Sequence, residues 1–302
     1  MSFINYNAIN EIHIELSSRC QLKCLHCSSN KIITENKTGY SISQLKPFLS
    51  KFNEKGCHVY ITGGEPLLSP KIYELITLCK ELGFSVGLFT TFNVNEDVNT
   101  VLQKLKDCGL SDFYLSLYGS NAPLHDYITG VKGSYDKSIQ AVKAAKNYNI
   151  DAKINFVLLK TNLSNLSEIL KDLDRLNCAE IRILKLVKHG SAVENWDKIG
   201  VEEGEQVDKV ISVYQNEKSY KTKLTFSGFP TITQCRPFKS DFKCGACKTL
   251  LYVDNYGDVY PCASQKNAES RKVGSIFTPD KIEYLSNACC VKNSIKAYIC
   301  LK

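Results

Sequence analysis

The sequence predicts an α/β protein: a partial (β/α)6, TIM-like barrel of parallel strands followed by a small C-terminal cysteine-rich domain of β-hairpin and helix. Three observations predict it. Between residues 11 and 187, six short stretches rich in β-branched and aromatic residues alternate with stretches of helical periodicity. Such alternation implies parallel pairing through right-handed crossovers, and six units are too few to close an eight-fold barrel. After residue 234, cysteines gather around a hairpin signal.

The strands are expected at about 11–17, 57–62, 84–90, 112–118, 151–158 and 179–187. A first helix follows Ser41, with Pro47 early in it. Ser69 and Pro70 open the next as cap and first-turn proline; Ile72, Leu75, Ile76, Cys79 and Leu82 make its apolar stripe, and Gly83 stops it. Val98, Val101, Leu102, Leu105 and Cys108 form another stripe that ends at Gly109. Ser134 caps a helix carrying Ile139, Val142 and Ala145, and Leu163, Leu166, Ile169, Leu170, Leu173 and Leu176 form the last. Residues 193–234 read as a connecting segment, with a helix through Val207, Val210, Ile211 and Tyr214 and a strand at 222–226. The expected division is therefore 1–192, 193–234 and 235–302.

Composition narrows the class. At 302 residues and 43% hydrophobic, the chain has ample material for a core. No run of 18 apolar residues appears, so no membrane partner is expected. Met1 to Asn10 has neither the basic flank nor the apolar core of a signal peptide. Fourteen cysteines without such a signal argue for reduced thiols and metal in the cytoplasm. The net charge of +7 is spread along the chain as a lysine-rich surface. It suits an anionic partner in general, and no interleaved aromatic and basic stretch singles out nucleic acid.

The chemistry centres on Cys20-Gln21-Leu22-Lys23-Cys24-Leu25-His26-Cys27, directly after the alternating run Ile12, Ile14, Leu16. Three thiolates in one loop can hold three irons of a 4Fe–4S cube and leave the fourth open. Chance gives this spacing on the order of 0.03 times per chain at this cysteine frequency, so the match is informative. Gly63-Gly64-Glu65-Pro66 closes the second strand. Two glycines allow close backbone approach to a ligand. Both motifs fall at carboxyl ends of strands, where parallel α/β sheets place their chemistry.

The pair resembles the radical S-adenosylmethionine (SAM) superfamily, whose signature is a CxxxCxxC loop after the first strand and a GGEP-like turn after the second. The resemblance implies a cluster on Cys20, Cys24 and Cys27, and SAM beside Gly63, Gly64, Glu65 and Pro66. A carbonyl there, or the Glu65 side chain, receives the SAM ammonium. His26 packs near the adenine, and Ser116 at the fourth strand end is a candidate for the ribose or carboxylate. Thr90-Thr91-Phe92-Asn93 is family-like as well. The run Ser116-Leu117-Tyr118-Gly119 through His125, Gly130, Gly133 and Ser134 is similar to SAM enzymes with a C-terminal cluster domain, as is His189-Gly190-Ser191-Ala192. Arg182 or Lys185 is placed to reach an anion.

The tail carries Cys235, Cys244, Cys247, Cys262, Cys289, Cys290 and Cys300. A hairpin turning near Asn255-Tyr256-Gly257 brings Cys262 beside Cys247. Four-cysteine zinc is the competing reading of CxxC followed by a third cysteine. Cys247, Gly257 and Cys262 resemble the opening of the SPASM and twitch domains, which implies a second 4Fe–4S cluster on Cys244, Cys247 and Cys262. A full SPASM domain has more cysteines, so a twitch-like domain with one auxiliary cluster is expected. Its fourth ligand is Cys235, Cys289, Cys290, Cys300 or substrate. The tail also looks like the molybdenum-cofactor cyclases, but the chain ends Cys300-Leu301-Lys302 where that family ends in Gly-Gly. Cys57, Cys79, Cys108 and Cys178 fall in helix or strand patterns as small hydrophobes.

The activity implied by the resemblance is reductive cleavage of SAM to a 5′-deoxyadenosyl radical, with the electron from a flavodoxin or ferredoxin. That radical abstracts hydrogen from substrate, and the auxiliary cluster accepts a second electron or orients substrate. Maturation of a ribosomally made peptide is the first expectation. No leader-binding module precedes Ile12, so a separate leader-peptide-binding protein is expected. The alternatives are oxidation or cyclisation of a small molecule such as a nucleotide or sugar, and a non-catalytic metal-binding protein. No general base or hydrogen donor is legible, although in an epimerase Cys300 is a candidate donor.

Overall fold

The computed structural model describes residues 3–28, 39–52, 56–229, 245–266, 269–286 and 288. Strands β1 (Glu11–Ser17), β2 (His58–Gly63), β3 (Ser85–Thr90), β4 (Asp112–Ser116), β5 (Asp151–Val157), β6 (Glu180–Leu184) and β7 (Lys223–Ser227) pair in sequence order, each parallel to the next. The first six lie within a few residues of their expected positions. The seventh comes from the segment read as a connector, because Leu184 pairs with Ser227 and carries the sheet one strand further.

The tail hairpin, β8 (Leu250–Val253) and β9 (Asp258–Tyr260), turns through Asn255, Tyr256 and Gly257 as expected. Gly257 supplies the positive φ of +90° that the turn requires. The Asp254 carboxylate accepts from the backbone N–H of Tyr256 and of Asp258, both at 2.9 Å. β8 does not stand apart. It pairs parallel to β1, from Glu11 opposite Leu250 to Ile14 opposite Val253. With β10 (Gly274–Ser275) on its outer edge, the described residues form ten strands in the order β10-β9-β8-β1-β2-β3-β4-β5-β6-β7, an open sheet among those residues.

Period-two alternation splits the strands between two surroundings. Ile12, Ile14, Leu16, Val59, Ile61, Val86 and Leu88 are fully buried and join the helices in one apolar core. The helices are α1 (Ile42–Leu49), α2 (Ile72–Glu81), α3 (Val98–Asp107), α4 (Ala122–Thr129), α5 (Ser134–Ala145), α6 (Lys160–Leu163), α7 (Leu166–Asp174), α8 (Ser191–Glu194), α9 (Trp196–Ile199) and α10 (Glu203–Gln215). Ser41 heads α1 through a capping box with Gln44, and Pro47 is tolerated within it. α2 begins later than expected, at Ile72, because Ser69 and Pro70 form the preceding turn and the Ser69 carbonyl accepts from Ile72 N–H at 3.2 Å. Gly133, not Ser134, caps α5, since the Ser134 hydroxyl is engaged by Asp126 at 2.9 Å.

The alternate strand positions present rings and charges. His13, Tyr60, Phe89 and Tyr114 stand with ring centroids 4.8 to 5.7 Å apart between neighbours. Arg182 lies 4.0 Å over the Tyr114 ring. Glu15 is buried among Tyr252, whose hydroxyl donates to it at 2.7 Å, and Lys266, at 3.3 Å. Those two contacts tie the tail to β1. No helix among the described residues is long and apolar enough to cross a membrane.

Candidate active site at the strand carboxyl ends

A cavity of about 460 Å³ opens at the carboxyl ends of the parallel strands. Cys20, Cys24 and Cys27 line it, as do His26, Gly63, Gly64 and Ser116. The two motifs and the fourth strand end therefore converge on one space. The loop that carries the thiols is pinned by backbone hydrogen bonds: Lys23 N–H to Thr129 O at 2.8 Å and Leu25 N–H to Ile128 O at 2.9 Å. On the far side, Ser191 N–H donates to Cys27 O at 2.9 Å. Gly190 comes so close that an added Cβ would lie 2.3 Å from that same oxygen. The Gly190-Ser191 stretch thus acts as a buttress for the cysteine loop.

The glycines of the turn after β2 serve a different contact from the one expected. A Cβ on Gly63 would lie 2.1 Å from Ser17 O, and one on Gly64 2.2 Å from Arg19 O. They allow the turn to nest against the chain leaving β1, and their backbones reach the cavity from there. Glu65 does not reach it. Its carboxylate accepts from Thr90 Oγ1 (2.6 Å), Thr91 N (2.8 Å), Thr91 Oγ1 (2.6 Å) and Leu67 N (3.2 Å), so its acceptor capacity is spent on the protein. Burial pushes its pKa up, and those four donors oppose the rise. Pro66 is buried in the 3-10 turn that follows and does not line the cavity.

Arg182 and Lys185 are also elsewhere. Arg182 is held by Glu180 at 3.3 Å and by the Tyr114 hydroxyl, and Lys185 pairs with Glu203; neither lines the cavity. Cys57, Cys79 and Cys178 are buried in the core, as their patterns implied.

His26 packs edge-on against Tyr118 at 4.3 Å, and Tyr118 stacks on His125 at 5.5 Å. Burial lowers the His26 pKa to about 4, and the neighbouring His125 adds to the effect. The imidazole on this wall is therefore neutral, set edge-on to the Tyr118 ring. Burial pushes the Cys20 thiol up to about 11 and holds Cys24 well above the ordinary thiol range. Bare thiolates are disfavoured in such a place, whereas thiolates bound to cationic iron are not. Among the described residues no three His, Cys, Asp or Glu side chains converge on a single ion.

Two buried polar atoms on the cavity wall have no hydrogen-bond partner: Nδ1 of His26 and Oδ1 of Asn155. Orphaned atoms of this kind are costly unless a ligand answers them. The three thiols and the glycine backbones that share this cavity fit a cluster with SAM beside it. Sequence reasoning missed Asn155. Its signal is a polar residue at the period-two position between Lys153 and Val157, directly opposite Ser116 in the sheet register. Ser18, Lys23, Glu194 and Asn195 also line the cavity unforeseen. In the tail, Cys247 N–H donates to Pro261 O at 3.3 Å, which sets Cys247 next to the residue preceding Cys262. Cys235, Cys244, Cys289, Cys290 and Cys300 lie outside the described residues.

Known proteins resemble this arrangement. The chain is 28% identical over 195 residues to the AdoMet-dependent heme synthase of Oleidesulfovibrio alaskensis, covering 64% of this chain and 50% of that protein. It is 27% identical over 250 residues to the mycofactocin maturase MftC of Mycolicibacterium smegmatis, covering 82% and 62%. It is 27% identical over 278 residues to the PqqA peptide cyclase of Rhizobium meliloti, covering 91% and 73%. The chain thus spans between half and about three quarters of these relatives. In fold it matches Streptococcus suis SuiB bound to its precursor peptide SuiA, with a TM-score of 0.73, 18% identity, and coverage of 94% of this chain and 66% of that one. The model of the radical SAM superfamily matches residues 14–173, just over half the chain, from within β1 almost to the end of α7, so the chain belongs to that superfamily.

Proposed function

We propose that this chain is a radical SAM enzyme that modifies a ribosomally made peptide, with a 4Fe–4S cluster on Cys20, Cys24 and Cys27. The observation that carries this is the single cavity shared by those thiols, the Gly63-Gly64 backbone and Ser116. When bound, the cluster and SAM supply a 5′-deoxyadenosyl radical able to take hydrogen from an unactivated C–H bond. The residues around them bind and orient. His26 and Tyr118, both lining the cavity, offer aromatic surface to the adenine. Ser116 and Asn155 offer a hydroxyl and a carbonyl oxygen to the ribose. The backbone at Gly63 and Gly64 receives the methionine end, while Glu65 holds that turn in place from behind.

Residues 1–192 make up the radical SAM core in this reading, and 193–234 connect it to a twitch-like unit at 235–302. Cys244, Cys247 and Cys262 there hold a second 4Fe–4S cluster. Support comes from the hairpin, from the 3.3 Å bond between Cys247 N–H and Pro261 O, and from the N–H groups that reach both described sulfurs. A flavodoxin or ferredoxin in the cytoplasm supplies the electron. Peptide substrates are favoured by the likeness to a mycofactocin maturase and a PqqA peptide cyclase over most of the chain, and by the fold shared with peptide-bound SuiB. Oxidation of a small molecule is the second reading, favoured by the likeness to AdoMet-dependent heme synthases.

The test is anaerobic incubation of the cluster-loaded protein with SAM and dithionite. Formation of 5′-deoxyadenosine is expected, and its absence from a fully loaded sample overturns the enzyme reading. Co-incubation with short peptides encoded beside the gene is then expected to change a peptide's mass. A mass change only in porphyrin-like or nucleotide substrates decides for the second reading.

A further inference from the structure

We infer that Asn195 is a specificity-determining residue for SAM: its side-chain oxygen accepts from the 6-amino group of the adenine. The inference rests on the SAM-binding reading above and deepens it. Asn195 sits between α8 and α9, beyond residue 173 where the family match ends, in the stretch read as a connector. It nevertheless lines the same cavity as Cys20, Cys24, Cys27 and His26. Its amide nitrogen donates to Leu25 O at 3.3 Å and to Ser191 O at 2.9 Å. The first of these carbonyls belongs to the peptide bond that leads into His26.

The geometry fixes which end of the amide is left for a ligand. A carbonyl only accepts, so the nitrogen must face Leu25 and Ser191, and its two hydrogens are spent on them. The backbone of Asn195 is spent as well. Its N–H donates to Ser191 O at 3.1 Å, and its carbonyl accepts from Lys198 N–H at 2.9 Å and Ile199 N–H at 3.1 Å. Oδ1 is the polar atom that remains. No described residue donates to it, and it is not sealed away as the unpartnered atoms of His26 and Asn155 are. Ile199 is fully buried in an apolar cluster with Tyr118, and Leu25 and Trp196 pack against that cluster, so the acceptor stands on a rigid support.

The choice of group follows from what each part of SAM can donate. The methionine end goes to Gly63 and Gly64 and the ribose to Ser116 and Asn155 in the reading above. Asn195 is bonded instead to the loop beside His26, whose ring offers surface to the adenine together with that of Tyr118. The 6-amino group is the one N–H donor of that base. A fixed acceptor answers it, whereas a 6-oxo base would set oxygen against oxygen. Glu194, next in the chain, is a second acceptor on the cavity wall. Its side chain is exposed and has no partner among the described residues, so nothing holds it to one direction.

The experiment uses the 302-residue chain, loaded anaerobically with iron and sulfide and left without reductant, so that binding is read apart from turnover. Equilibrium dialysis compares SAM with its deaminated analogue S-inosylmethionine, which carries a 6-oxo group. The parent should prefer SAM by about tenfold or more, as expected for one hydrogen bond to a positioned acceptor. Asn195→Ala should bring the two affinities together. A residue that only braces the loop would lower both in parallel and keep their ratio. That parallel fall, or a parent that binds both ligands alike, overturns the inference. Glu194→Ala should keep the preference; its loss there moves the contact to Glu194 and overturns the inference too. If Asn195→Ala fails to hold iron, Asn195→Asp decides, because it keeps an acceptor oxygen and loses the nitrogen. Retained preference then supports the contact, and lost preference overturns it. A loaded parent that binds neither ligand overturns the SAM-binding reading itself, and this inference with it.

Discussion

Glu65 and Thr91 are joined twice: the Thr91 backbone N–H donates to Glu65 Oε2 at 2.8 Å and its hydroxyl to the same oxygen at 2.6 Å. With Thr90 on the other oxygen, the carboxylate ties the turn after β2 to the end of β3. Glu65→Ala leaves two hydroxyls and two backbone N–H groups without their acceptor in a fully buried place. A loss of about 3 kcal/mol or more in urea unfolding is expected. Glu65→Gln keeps one acceptor oxygen and should cost clearly less. Were the carboxylate a direct SAM ligand instead, Glu65→Gln would leave stability unchanged and abolish SAM binding.

The buttress behind the cysteine loop makes a sharper demand. Gly190 has φ +60° and ψ −138°, a conformation essentially confined to glycine, and its α-carbon faces Cys27 O. Gly190→Ala adds backbone strain of roughly 1–3 kcal/mol and a contact that must push the Cys27 backbone away. The expected result is a folded protein that binds less iron in the N-terminal loop and forms little 5′-deoxyadenosine. Full iron content and full activity in this variant would falsify the buttress.

Much of this was legible in the sequence because it is local. Period-two and helical spacing located six strands, and the cysteine spacing located the loop. The hairpin signal at Asn255-Tyr256-Gly257 located β8 and β9. What escaped depends on partners far along the chain. Nothing near Glu65 announces that Thr90 and Thr91 will saturate it, and nothing near Gly63 and Gly64 says that the backbone at Ser17 and Arg19 is what they must clear. β8 pairs with β1 across more than two hundred residues, a choice that a local pattern does not encode. Asn155 was hidden because it continues the polar alternation of Asp151 and Lys153 and so reads as an ordinary strand position until the sheet register sets it opposite Ser116.

His125 gives the fold a pH dependence. Its Nδ1 accepts from Tyr118 N–H at 3.3 Å, and burial lowers its pKa to about 4, with Asp126 opposing. The unfolded chain takes up that proton near pH 6.5, whereas the folded one does so only near pH 4. Stability from this group is therefore complete above pH 6.5 and falls as the pH drops through the interval between the two values. Between pH 7.5 and 5.5 the wild type should lose about 1 kcal/mol more than His125→Gln, which keeps an acceptor and does not titrate. Equal losses in urea unfolding of the two proteins would refute the assignment.

Asn155 sets stability against binding. Its Oδ1 is buried on the cavity wall without a protein partner, beside Ser116, and an orphaned oxygen of that kind weakens the folded state. Asn155→Leu removes the orphan and replaces it with apolar volume of similar size, so unfolding should become slightly harder, by about 0.5–1 kcal/mol. SAM, by contrast, loses a group that answers one of its polar atoms. Its affinity for the cluster-loaded variant should fall about tenfold, the worth of one hydrogen bond to a buried partner. Iron content should not change, because Asn155 is not one of the three thiols proposed to hold the cluster, although it lines the same cavity. The two readouts must move in opposite directions. If stability and SAM affinity fall together, Asn155 is a packing residue and the ribose contact belongs to Ser116 alone.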